Sequence, residues 1–536
     1  MNTALIIGAG PTGLTASLLL AQHGIRSTII ERHASSSGQP KAHAINPRSL
    51  EIFRQLGLDT SSLRRRGVPA EEGDTVRFVV SMAGRELGSL PYERQGKETY
   101  SITPEPLFNI PQPVLENWLL EEVARRPEII CLRGVQWESC IHDSNGHLVS
   151  TITERDTGLV RSIQSKYILD CGGANSRARA QLGIPFEPLP EYIQNEVHHV
   201  SVHINADLSE FKPGTLWWAV SPLVEGTFIC YARASSWVFV TYYDPKTTDR
   251  STFSEEFCRE MIDNAIGKKI PYDILSITVW ATWPRTADFY QSKVFPRAFV
   301  LGDAAHAFPP TGGLGVNTGI ADAHNLIWKI AGTEKGWAEE DILASYSSER
   351  RPIAVANARQ SVKNQAKLRG LKAALRDPPG RESEEWKEWR ECVDAELDRN
   401  CEHFDSINLQ IGYVYGREEL STGPCDVYTP RGVPGARLPH TWVDSRGRIS
   451  VLDLVDGMSF VLLTVHHFDL GRASAPIQTL RVGVDFEVDQ SWLDLVGLST
   501  HSGLLIRPDQ HILGHVDSAE DVEVLLQRHW INIDSS

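Results

Sequence analysis

Short, largely apolar runs mark the chain at Ala4 to Ile7, Ser27 to Ile30 and Ala298 to Leu301. Runs of this length without polar alternation predict strands buried on both faces, as in a parallel sheet. Leu14 to Gln22 predicts a helix between the first two, closed by Gly24 as its C-cap. Ile320, Ala323, Ile327 and Ile330 keep helical spacing and predict a helix over about Thr318 to Ala331. From 185 to 296 the texture changes to short, aromatic-rich alternation. His198 to Ile204, Thr215 to Val220, Thr227 to Ala232 and Trp237 to Tyr243 predict strands of an antiparallel sheet. Residues 338–405 are charged and helical, and 419–437, with Pro424, Pro430 and Pro434, predict a linker. Beyond it, Phe460 to Val465, Thr479 to Val484 and Leu504 to Ile506 predict strands, and Ser518-Ala519-Glu520-Asp521 predicts a capping-box helix start.

With 536 residues the chain exceeds one ordinary core, so several domains are expected. A formal charge of −15 argues against a nucleic-acid partner, because phosphate binding needs a basic face. The 8 cysteines lie singly, with no CxxC pair, so neither a zinc ribbon nor a dithiol motif is offered and no metal is expected. The apolar opening lacks a basic n-region and carries a glycine cluster, which fits strand, turn and helix rather than a signal peptide. No stretch approaches the roughly 18 apolar residues of a membrane span, and a cytoplasmic protein is expected.

Chemistry enters at that glycine cluster. Gly8, Gly10 and Gly13, with Pro11 and Thr12 between them, fall in G-x-G-x-x-G spacing from strand to helix. The first glycine makes the turn, the second admits a pyrophosphate, and the third lets helix and strand pack closely. The helix N-terminus then offers free N–H groups to phosphate. Glu31, beside Arg32 at the end of the second strand, is placed to accept from a ribose hydroxyl. A dinucleotide site in a Rossmann-like domain follows. A second glycine-rich region, Gly302-Asp303-Ala304-Ala305-His306, then Pro309, Pro310 and Gly312 to Asn317, leads from the Ala298 strand into the later helix.

The two regions together resemble the aromatic-ring flavoprotein monooxygenases of the para-hydroxybenzoate hydroxylase and phenol hydroxylase type. The resemblance rests most on Gly302 to His306 with Asn317 to Ala323, and implies FAD as the shared ligand. It implies that Asp303 binds the ribitol, that Pro310 and Gly313 border the flavin ring, and that Gly315, Val316 and Asn317 lie beneath its pyrimidine side. The positive end of the following helix would stabilise charge on the reduced ring. Lys41 stands where relatives carry an arginine, Arg48 follows the cap pair Asn46-Pro47, and Gln112 and Val135 match further cofactor contacts. The sequence departs from the family motif Asp-Gly-Ala-x-Ser-x-x-Arg at Gly172, where the aspartate is expected. Asp170 stands two residues earlier and leaves open which position serves the turn.

The fold implied is α/β, with a discontinuous Rossmann-like FAD-binding domain over 1–184 and 297–360 and some strands near 75–110 joining the substrate sheet. A mainly antiparallel substrate domain covers 185–296, a helical region 361–418 and a linker 419–437. A thioredoxin-like domain without CxxC covers 438–536, with stability or homodimer contacts as its expected role. NADPH or NADH is the implied reductant and O2 the oxidant, acting through a C4a-hydroperoxyflavin on a phenolic or polyketide-type ring. Baeyer–Villiger or epoxidising chemistry on a polyketide, and a non-catalytic FAD scaffold, are the alternatives. Trp217, Tyr231, Arg233 and Tyr242 are the candidate lining of a flat aromatic pocket, with Trp218 and Tyr243 nearby, and the catalytic base stays unassigned.

Overall fold

Parallel pairing of the apolar runs builds the first sheet of the computed structural model, which describes residues 2–35, 38, 42–417, 423–444, 446–471 and 473–530. Ile129–Arg133, Ser27–Glu31, Asn2–Ile7 and the C-terminal half of Val160–Asp170 lie side by side and parallel, and Ala298–Val300 adds beyond Asp170. Leu148–Glu154 and Val135–His142 extend it as an antiparallel arm. The carboxyl ends of these parallel strands carry both glycine-rich turns, the position where open α/β sheets bind ligands.

The first helix, Pro11–Gln22, begins three residues before the apolar spacing suggests, because Pro11 occupies its first turn, where a missing N–H costs nothing. The later one spans Gly315–Lys335, starting inside the glycine-rich turn. Both are buried nearly all round and pack against each other.

Alternating segments form a seven-stranded sheet, in the order Tyr272–Thr282, Val197–Ala206, Ser236–Tyr243, Glu225–Ala232, Leu216–Val220, Thr75–Val79 and Glu86–Pro91. The last two strands come from the 75–110 segment and join through a parallel pairing with Leu216–Val220. One face packs on the amphipathic helix Glu255–Ile266, which the alternation analysis did not identify. The other packs on Leu368, Leu371 and Leu375 of the long helix Ser345–Leu375. In the tail, Ile477–Arg481, Phe460–Thr464, Gly503–Ile506 and Ile512–Val516 form a four-stranded mixed sheet, with the helix Ala519–Trp530 following. No helix among the described residues is long and apolar enough to cross a membrane.

Candidate active site

Gly8 sits at φ +102, and a Cβ there would run into the carbonyl of Cys171, while one at Gly13 would meet the carbonyl of Gly8. Both glycines are therefore required by close backbone approach, not by composition. Glu31 accepts from the N–H of Ala9 at 3.0 Å and of His33 at 2.9 Å, so its carboxylate closes the turn from the second strand. Arg32 is exposed on the rim beside it. Gly8, Gly10 and Thr12 stay partly open in an otherwise buried strand–helix junction, while Pro11 is buried.

The second glycine-rich turn meets the first through Thr12, whose Oγ1 lies 2.7 Å from where a Cβ on Gly302 would stand. Asp303 is exposed between the buried Gly302 and Ala304, and Pro310 is exposed between the buried Pro309 and Thr311. Gly313, Gly315 and Val316 are likewise partly open, and a Cβ on Gly315 would stand 3.9 Å from Asp303 Oδ1. A cleft bordered by backbone N–H groups, one carboxylate at each end and a helix N-terminus has the chemistry of a dinucleotide cradle.

Asp322 stands behind this turn. It accepts from the N–H of Gly302 at 3.1 Å, pairs with His306 Nε2 at 2.9 Å, and takes Arg350 Nε at 2.8 Å. Arg350 also donates to the carbonyl of Thr318 at 3.1 Å. Burial would raise the Asp322 pKa, but Arg350 and His306 hold it below the ordinary value.

Several expected contacts are placed otherwise. Arg48 Nη1 donates to Gln510 Oε1 at 2.7 Å and to Glu51 at 3.1 Å, and its Nη2 donates to the Asp509 carbonyl at 2.7 Å. Its guanidinium thus binds the tail domain rather than facing the cofactor cleft. The Asn317 amide ties Gly313 O, Ala44 O, Asn46 N and Ser49 Oγ together, leaving only its backbone to face a ligand. The Val135 side chain is in the core, so it too offers backbone alone. Gln112 starts its helix beside Ala42 and bonds Glu116 at 2.7 Å. Lys41 lies outside the described residues.

Register sorts the aromatic candidates. Successive strand residues point to opposite faces. Trp217 falls on the side of the helix Glu255–Ile266, against Phe211 and under Arg77, and so does not line the pocket. Arg233 is likewise excluded, because Nη2 donates to the carbonyls of Ser209 at 2.7 Å and Phe211 at 2.6 Å at the hairpin end. Tyr231 and Tyr242 take the opposite face with Trp218. Lys372 of the long helix lies 4.8 Å from the Trp218 ring centre and 4.6 Å from that of Tyr242. The hydroxyl of Tyr231, Thr227 Oγ1, Trp218 Nε1 and His199 Nδ1 are buried without a partner among the described residues.

His43 was not identified from the sequence. Its ring lies 6.1 Å from Tyr231, edge to face, and 5.8 Å from Tyr92. Nδ1 is 3.0 Å from Asn109 Oδ1, and the Asn109 amide nitrogen in turn points at Gly73 O and Gln95 Oε1, each at 3.4 Å. That chain makes Nδ1 the protonated nitrogen and leaves the Nε2 lone pair free of it. The residue is half-buried. Burial pushes its pKa below the ordinary value, with the Asn109 bond opposing. The neighbouring Ala44 Cβ is 3.0 Å from where one would stand on Gly313, so His43 sits beside the glycine-rich turn. No run or spacing marks it; only the pairing of Ala44–Ile45 with Phe108–Asn109 brings it to the site.

At the Gly172 departure, Asp170 is fully buried. Oδ1 accepts from Gly172 N at 2.9 Å and Oδ2 from Ser176 Oγ at 2.6 Å. Burial raises its pKa, against these bonds and Arg179.

Residues 1–361 match the family model described as an FAD binding domain, and 431–530 match the aromatic-ring hydroxylase C-terminal model. The 2,4-dichlorophenol 6-monooxygenase of Delftia acidovorans is 29% identical over 95% of this chain and 94% of its own. Tetracenomycin A2 monooxygenase-dioxygenase of Streptomyces glaucescens is 29% identical over 98% and 96%. Among solved structures, the flavin-dependent monooxygenase PieE, determined with FAD and substrate, superposes with a TM-score of 0.88 at 26% identity, covering 99% of both chains. With its two cofactor turns and its tail both matched, the chain belongs to the FAD-binding-domain family as an FAD-dependent monooxygenase of the aromatic-ring hydroxylase type.

Proposed function

We propose that this enzyme hydroxylates a phenolic ring, in a monocyclic or polyketide-type substrate, using NAD(P)H and O2. The observation that carries this reading is the pairing of His43 and Tyr231 beside the Gly313 turn, under a sheet face with unpartnered polar groups. Bound FAD supplies the reductive activation of oxygen and its transfer to carbon.

The chain's own residues bind, orient and move a proton. The Gly8 turn and the Pro11 helix would hold the pyrophosphate of FAD, Glu31 the adenosine ribose, and Asp303 the ribitol. The helix beginning at Gly315 would offer its positive end to charge on the reduced ring. On the substrate side the Tyr231 hydroxyl bonds the phenolic oxygen. His43 Nε2, neutral because of burial, takes the phenol proton, so that the ring becomes electron-rich where oxygen arrives. Tyr242, its own pKa pushed up to about 12 by burial and by Glu225, stays a neutral donor in the roof.

The test is NADPH oxidation and product analysis over a panel of phenols and polycyclic phenolic ketones. Substrate-stimulated oxidation yielding a product with one added ring hydroxyl supports the reading. A ring-inserted or epoxide oxygen would replace hydroxylation by the other oxygen-transfer outcomes. His43→Gln is expected to lower kcat on the order of 100-fold with FAD still bound. Unchanged turnover in that variant would remove His43 as the base.

A further inference from the structure

Two residues apart on an extended segment, side chains share one face. Residues 170 and 172 are so related at the end of Val160–Asp170, and a Cβ on Gly172 would lie 2.9 Å from Asp170 Oδ1 and 3.2 Å from Ser176 Oγ. The carboxylate of Asp170 thus already fills the space into which a side chain at 172 would grow. Gly172 itself has no left-handed backbone, unlike Gly173 at φ +85, so no torsional demand explains glycine there. A side chain at 172 would have to displace this carboxylate, which is buried and held by two hydrogen bonds.

We propose that Asp170 is a relocated carboxylate: from residue 170 it serves the turn in which the family motif places its aspartate at residue 172, setting the 171–176 turn against both cofactor grips. Its Oδ1 holds the Gly172 N–H, and its Oδ2 holds Ser176 Oγ, which caps the N–H of Arg179 at 3.2 Å. Arg179 carries the tie onward, donating to Ala304 O at 3.0 Å, next to Asp303, and to Ala174 O at 3.1 Å. The backbone supplies the other half. Cys171 N donates to Ile7 O at 2.8 Å, beside Gly8, and Leu301 N donates to Asp170 O at 2.9 Å, before Gly302. One buried carboxylate therefore fixes the geometry of the loop lying between the two glycine-rich turns. The charged and titratable groups facing it are Arg179 and Cys171, and Cys171 in turn faces Asp322.

Exchanging the two residues tests this in the full-length protein. Asp170→Gly removes the carboxylate, Gly172→Asp crowds a second one against the first, and the double variant Asp170→Gly/Gly172→Asp moves it to the motif position. FAD dissociation constants come from flavin fluorescence on refilling the apoprotein, which needs no turnover and is independent of the substrate reading. Asp170→Gly is expected to weaken FAD on the order of 10-fold, as loss of charged hydrogen bonds does. Gly172→Asp should also bind FAD more weakly than the wild type. The exchanged variant should return to within about threefold of the wild type, because the two positions touch and their effects do not add. Anaerobic reduction by NADPH should follow the same order. A merely structural aspartate would not be rescued from position 172. An exchanged variant no better than Asp170→Gly overturns the proposal, as does an Asp170→Gly protein binding FAD like the wild type. Should Asp170→Gly not fold, a soluble, FAD-loaded exchanged variant supports the proposal and an insoluble one defeats it.

Discussion

Glu31 joins two backbone donors, Ala9 in the first turn and His33 just past the second strand. Glu31→Ala should therefore weaken FAD on the order of 10-fold while leaving the NADPH concentration for half-maximal flavin reduction unchanged. Titrating each ligand separately checks it, and a selective loss of NADPH affinity would contradict the assignment. Glu93 makes a different prediction. It is buried at φ +51, accepting from Ser406 N, Ser406 Oγ and Gln410 Nε2, and burial with help from Asp405 raises its pKa to about 7. The folded form holds that proton more tightly than the unfolded one does. Stability is therefore greatest below the ordinary value of 4.5, falls by about 3 kcal/mol as pH rises towards 7, and is level above it. Glu93→Gln should flatten that slope in urea titrations from pH 5 to 8; an unaltered slope would mean another group sets it. Residue by residue, legibility followed physical cause. Gly8 and Gly13 were readable because close backbone approach dictates them at fixed spacing, and Glu31 because it ends the second strand beside that turn, whereas Asp303 was named by the family resemblance alone. Trp217 was misassigned because two adjacent tryptophans look alike in sequence, and the face of each depends on register against Thr75–Val79. His43 could not be found, since its partners Asn109 and Tyr231 are remote in sequence.

At the scale of elements, helices and strands with a single apolar period were legible, and those whose burial comes from distant partners were not. The helix Gly315–Lys335 buries polar residues as well as apolar ones: Asp322, Asn325 and Lys329 all lie inside. Such positions look like a solvated face until the long helix Ser345–Leu375 supplies Glu349 and Arg350 against them. The helix Glu255–Ile266 was passed over because it interrupts a run of strands, although Ser254 caps it and Gly267 closes it at φ +74. The buried pair between these helices makes a prediction. Asp322→Ala would leave Arg350 without its carboxylate, His306 without a partner, and the N–H of Gly302 unmet. Breaking a buried pair from one side costs about 3–5 kcal/mol. A lowered melting temperature with poor FAD loading, measured on protein purified in excess FAD, is expected. A variant that keeps both would show that the turn is held by backbone alone.

Across the whole molecule, the sequence separated the tail from the rest by a linker, and the structure then binds the two through a buried network the linker conceals. Arg507 pairs bidentately with Glu349 at 2.6 and 3.0 Å and with Asp509 at 3.0 and 2.6 Å, while Arg437 holds Glu51 through Nε at 2.9 Å and Nη2 at 2.5 Å. Arg48 reaches Gln510, which is buried at φ +62, a conformation that a non-glycine residue keeps only under tertiary constraint. Burial would raise Glu51, but Arg437 and Arg48 bring its pKa down to about 2. A depressed carboxylate contributes stability that is complete above the ordinary value of 4.5 and is lost as pH falls through about 2, so the tail should stay docked well into acid. Trp328 reports the contact, because Arg507 lies 5.2 Å from its ring and Phe460 of the tail packs on it edge to face at 5.8 Å. The part of the tryptophan emission that is lost in Trp328→Phe should hold steady from pH 7 to about pH 4 and change only below. Arg507→Met leaves Asp509 and Glu349 with one fewer cation and should move the change to higher pH, lowering stability by about 3–5 kcal/mol. FAD should be released in the same transition, since Arg48, Glu51 and the Asn46 cap belong to one short helix, and Asn317 pins that cap to the flavin turn. Separate transitions for tryptophan emission and flavin release would show that the tail and the cofactor cleft melt independently.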